Sequence, residues 1–186
     1  MSPRTPPSLS RGHLPVPAGG GYVARNGRRG ARDNHGNRGA DRERANGVTQ
    51  RPESDAVRAL IERGMDRSAT FRTLNARLDG ANVIVYVRFS PCAGGAPACL
   101  LWASEDTDAR RLLIKINRFG RSTDELTALL AHELQHANEV ASDAEITDLA
   151  SFRKSFALRG WTHGARIETE EAGRIARQVA AELSRR

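Results

Sequence analysis

The sequence predicts an α+β fold in which short strands are followed by helices. Three observations carry this. Residues 82–89 read NVIVYVRF, a β-branched and aromatic run that suits a strand. From Thr123 onward the apolar spacing turns helical, behind a Ser-x-x-Glu capping signature at Ser122 and Glu125. Near the C-terminal end Ala172, Ile175, Val179 and Leu183 fall three, four and four apart, one stripe of a helix.

The chain divides by composition. Residues 1–50 carry nine Arg against three acids, and so six of the seven net positive charges of the 186-residue chain. They also hold 9 of the 17 Gly and 5 of the 8 Pro, with no apolar period able to bury a face. This segment is expected to be a disordered basic tail, and residues 51–186 the folded domain. The high isoelectric point belongs to the tail, so it says nothing of the domain. Regular basic spacing and aromatic interleaving are missing, so nucleic-acid binding is not expected as the main activity. No apolar run is long enough for a membrane span. No segment reads as a signal peptide.

Within 51–186, residues 53–66 place Val57, Leu60, Ile61 and Met65 at helical spacing, and 68–78 do so with Phe71, Leu74 and Leu78. Gly64 is expected to separate the two. Strands are predicted at 82–89, 99–103 and 110–117, the first two joined as a hairpin through 91–98. Cys92 and Cys99 bracket that loop, close enough in sequence for a disulfide across a hairpin. Two buried thiols are the equal alternative. Helices are predicted over 123–141, 144–158 and 166–184.

Inside the capped helix lies His132-Glu133-Leu134-Gln135-His136, the pattern H-E-x-x-H. His132 and His136 are one turn apart and face the same way, so both imidazoles can share one ion. Glu133 stands beside them, where it can take a proton from water. A catalytic site needs a third protein ligand. Glu139 cannot supply it, being about 10 Å of helix rise from His132. Glu168 extends the inward stripe of the last predicted helix and is the first choice, with Glu171 the second. The alternative for Glu168 is an acid placed to favour the helix dipole. Asp143 and Asp148 are candidates to orient an imidazole.

At His132-Glu133-x-x-His136 and Glu168 the chain resembles the zincin metallopeptidases. The order of strand, motif helix and later Glu is similar to the gluzincin branch, in its small single-domain forms, and to short bacterial proteins with a His-Glu-Leu-Gln-His helix. The metzincin extension would require Gly at 139 and His at 142, where this chain has Glu139 and Ser142. The resemblance implies a short mixed sheet packed on the motif helix with further C-terminal helices. It implies one zinc ion per chain held by His132, His136 and Glu168, and Glu133 as general base in peptide-bond hydrolysis. A peptide substrate would pair with an edge strand, matched by position at 110–117. His163 is the candidate for stabilising the oxyanion. The alternative function is a zinc-stabilised domain without catalysis. A Cys92–Cys99 bond would argue for a periplasmic or secreted protein.

Overall fold

The computed structural model describes residues 50–104, 109–163 and 166–185, with the side chains of all of these except 104, 159 and 161–167. The basic segment predicted as a tail lies outside the described residues, apart from Gln50. That residue opens a three-residue strand, β1 (Gln50–Pro52).

Two helices follow. α1 (Asp55–Arg67) is capped by Ser54, and α2 (Ala69–Leu78) by Ser68. Ser68 serves both helices. Its backbone N–H donates to Gly64 O at 2.9 Å, and its Oγ accepts from Phe71 N–H at 3.0 Å. The break therefore falls at Ser68 and not at Gly64. Gly64 instead sits inside α1 as the floor for the Phe71 ring: a Cβ there would lie 2.7 Å from ring atoms. Only a residue without a side chain lets the ring close onto the helix backbone.

A four-stranded mixed sheet is ordered β1-β2-β4-β3, with β2 at Val83–Phe89, β3 at Ala98–Ser104 and β4 at Arg110–Ile116. β1 and β4 both run parallel to β2, while β3 is antiparallel to β4. This corrects two expectations. The strands at 83–89 and 98–104 are not a hairpin, because β4 lies between them. The strand at 110–117 is interior, not an edge; the edge beside it is β3. The reason is burial. In register with β2, β4 aligns Leu112 and Ile114 with Val85 and Val87, giving one continuous inward apolar face. On β3, by contrast, Leu101 remains 40% exposed. Cys92 and Cys99 form a disulfide, with Cα atoms 6.2 Å apart, that ties the crossover loop to the start of β3.

α3 (Thr123–Ser142) packs between this sheet and the remaining helices. Its capping box is complete: Ser122 Oγ accepts from Glu125 N–H at 3.3 Å, and Glu125 Oε2 accepts from Ser122 N–H at 2.7 Å. Leu126, Leu130, Leu134, Ala137 and Val140 enter the core with Phe71, Leu74, Ile114, Val179 and Leu183. At the other end Arg110, the first residue of β4, donates to the carbonyls of Val140, Ala141 and Asp143 at 2.6, 3.1 and 2.9 Å. A cation at a helix C-terminus suits both the open carbonyls and the dipole.

α4 (Leu149–Arg159) starts later than expected because Asp148 caps it, accepting from Ser151 N–H at 2.7 Å. The predicted helix from 166 divides. Residues Arg166–Glu168 form β6, paired antiparallel with β5 (Trp161–His163), and α5 runs over Glu170–Ser184. Thr169 is the N-cap, accepting from Ala172 N–H at 3.3 Å, and with its extended backbone it is the last residue before the chain turns helical. The stripe Ala172, Ile175, Val179 and Leu183 is buried as expected.

Candidate metal centre

The motif helix is buried on several sides, so its polar residues need partners within the protein. His136 is 4% exposed and Glu133 5%. His132 is half-buried, with 16% of its side chain exposed. The helix turn brings His132 Nε2 to 3.2 Å from His136 Nε2. Glu168, at the last position of β6, places Oε2 2.8 Å from His132 Nε2. One ligand atom from each of the three lies within 4.8 Å of the other two. Glu168 reaches this point from a strand end and not from the helix stripe expected for it. The hairpin β5–β6 and the cap at Thr169 turn its side chain back toward α3.

This donor set fits a small divalent cation. Zinc holds nitrogen and oxygen at roughly 2.0–2.2 Å in a tetrahedron, which spaces neighbouring ligand atoms by roughly 3.3 Å. The 3.2 Å and 2.8 Å separations are close to that edge length. Two imidazoles and one carboxylate leave a fourth position open.

The charges around the ligands are unequal. Burial pushes the pKa of His132 down, and the neighbouring His136 pushes it the same way. Burial also opposes a charge on His136. The Glu139 hydrogen bond and the charges of Glu133, Glu139 and Glu168 outweigh it, so the pKa of His136 is raised. The two rings meet edge to face with centroids 4.9 Å apart. Phe156 of α4 also meets the His136 ring edge to face, with centroids 5.4 Å apart.

Glu139 was set aside in the sequence because it lies too far along the helix to be a ligand. It occupies a different place. Its Oε2 lies 3.0 Å from His136 Nδ1, three residues back on the helix. Its Oε1 accepts from Thr169 Oγ1 at 2.9 Å and from Gln135 Nε2 at 3.2 Å. Burial pushes its carboxyl up, but these hydrogen bonds and His136 more than offset that and hold it below the usual range. The available signal was the i, i+3 spacing from His136. Asp143 and Asp148 serve elsewhere. Asp143 ends α3 and accepts from Ser155 at 3.2 Å, while Asp148 caps α4. Glu171 lies outside the cluster, accepting from Nε and Nη2 of Arg174 at 2.8 and 2.5 Å. His163 falls in β5, and its side chain lies outside the described residues.

Fold and site together define an α+β chain whose motif helix and a neighbouring strand end present a His-His-Glu cluster. Comparison with protein-family models, with curated proteins and with solved structures finds no match to this chain.

Proposed function

We propose that the chain is a zinc-dependent peptidase of the small gluzincin type. The observation that carries the reading is the convergence of His132, His136 and Glu168 at metal-ligand spacing, with the buried Glu133 on the same helix. Zinc bound there would supply Lewis-acid polarisation of a carbonyl and lower the pKa of a water molecule. His132, His136 and Glu168 hold the ion. Glu133 takes the proton from water and passes it to the leaving amine. Of the two edges of the four-stranded sheet, β3, next to the strand first expected at the edge, is the one we assign to an extended peptide, whose backbone would continue the sheet. The Cys92–Cys99 bond supports work in an oxidising compartment, periplasmic or extracellular.

A second reading has its own support. The same three ligands would cross-link α3 to the β6–α5 junction, so zinc could act as a staple without catalysis. Metal content of the full chain tests the centre. One zinc per chain, lost in His132→Ala and in Glu168→Ala, is the expected result. Glu133→Gln then separates the readings. It keeps zinc and abolishes hydrolysis if the chain is a peptidase, and has no functional effect if the metal is only a staple.

A further inference from the structure

We infer that Glu139 is the positioning residue of this centre, and that it sets two of the three ligands at once through a relay to Thr169. The inference rests on the metal-centre reading above and extends it to residues that touch no metal.

The first arm reaches His136. Glu139 Oε2 at 3.0 Å from Nδ1 accepts the proton on that nitrogen. With Nδ1 carrying its proton, Nε2 presents a lone pair, and Nε2 is the atom that faces His132 Nε2 at 3.2 Å. A carboxylate behind a ligating imidazole fixes the tautomer, fixes the ring and makes the ligand more basic.

The second arm reaches the third ligand through its neighbour. Thr169 follows Glu168 directly and is 8% exposed. Its Oγ1 donates to Glu139 Oε1 at 2.9 Å while accepting from Ala172 N–H at 3.3 Å. The hydroxyl thus uses its one proton on Glu139 and a lone pair on the helix cap. This bond pins the strand-to-helix corner against α3, and Glu168 is the residue at that corner. Gln135 Nε2 steadies the same oxygen of Glu139 at 3.2 Å. The Glu139 side chain is 15% exposed, so water competes weakly for these bonds.

Two predictions separate positioning from packing. In Glu139→Gln the neutral amide still fits the space, but it weakens the hold on His136 and offers Thr169 a poorer acceptor. Zinc affinity of the full chain, measured by competition with a chelator, is expected to fall about 10–100-fold. In Thr169→Val the hydroxyl is lost both as donor to Glu139 and as cap acceptor for Ala172 N–H while the shape is kept, and affinity is expected to fall several-fold, beyond any change in the melting temperature of the metal-free chain. Thr169→Ser restores the hydroxyl and is expected to return affinity to near the wild-type value. The chain loaded with Co2+ gives a second readout. Its visible absorption should change in Glu139→Gln and Thr169→Val and recover in Thr169→Ser, with the melting temperature of the metal-free chain measured alongside. Unchanged zinc affinity and Co2+ spectra in Glu139→Gln and Thr169→Val, whatever the melting temperatures, would overturn the relay. A wild-type chain that binds neither metal would overturn the centre itself and the relay with it. The two failures are told apart by the wild-type measurement.

Discussion

Glu133 and Glu182 show how far a single carboxylate's surroundings decide its role. Glu133 is buried next to the ligands. Under the proposed peptidase function it is the general base and should contribute about 10²–10⁴-fold, so Glu133→Gln should lower kcat by that order with KM little changed, in an assay on denatured protein substrate. Glu182, on the last helix, instead joins that helix to Ser68 and Thr70 and is a structural group. Burial raises its pKa, but hydrogen bonds from Ser68, Thr70 and Gln178 outweigh this and bring it down to about 2. A carboxyl depressed in the folded chain stabilises it above the ordinary carboxylate range, and that stability is lost as pH falls toward the folded value. Denaturant unfolding between about pH 6 and pH 2 should therefore show a steeper loss for wild type than for Glu182→Gln. A parallel pair of curves would remove Glu182 from the acid response. Which acid does what was only partly legible in the sequence. Glu133 follows from its motif, whereas Thr169 as a partner of Glu139, and Ser68 and Thr70 as partners of Glu182, come from elements distant in the chain.

Among the elements, helices were easier to read than the sheet, for a physical reason. A helix satisfies its backbone locally, so caps such as Ser122 with Glu125 and stripes such as Ala172 to Leu183 announce it. A strand needs a partner, and sequence does not say which. Hence β4 was expected at an edge and stands in the interior, and the short β5 and β6 were read as loop and helix. Glu168 was chosen on a helix stripe, yet reaches the cluster from a strand end. Gly64 shows a similar limit, since no local pattern reveals that Phe71 will close onto it. Gly64→Ala should cost about 1–3 kcal/mol by overpacking, read as a lower denaturant midpoint with unchanged slope. A neutral or stabilising effect would mean that the ring moves aside freely. Arg110→Ala should cost about 1–3 kcal/mol as well, since it strips the carbonyls at the end of the motif helix of their donor.

For the whole molecule, the centre joins parts remote in sequence. His132 and His136 belong to the central helix, and Glu168 to the end of the strand that leads into the last helix. A ligand bound only by the folded chain stabilises it in proportion to the logarithm of its concentration. Zinc at a hundred times its Kd should add about 2.7 kcal/mol and raise Tm, and a chelator should reverse this. Glu168→Ala should remove most of the gain. A rise in Tm that survives this substitution would place the bound ion elsewhere.

The crossed order of the sheet sets a timetable for a chain emerging from the ribosome. β2 and β3 are made first, but neither pairs with the other, and β4 must arrive to fill the gap between them. The motif helix, which packs against β4, is made after it, and Glu168 comes 36 positions behind His132. The cluster of His132, His136 and Glu168 can therefore close only once residue 168 has been made, with most of the chain already synthesised.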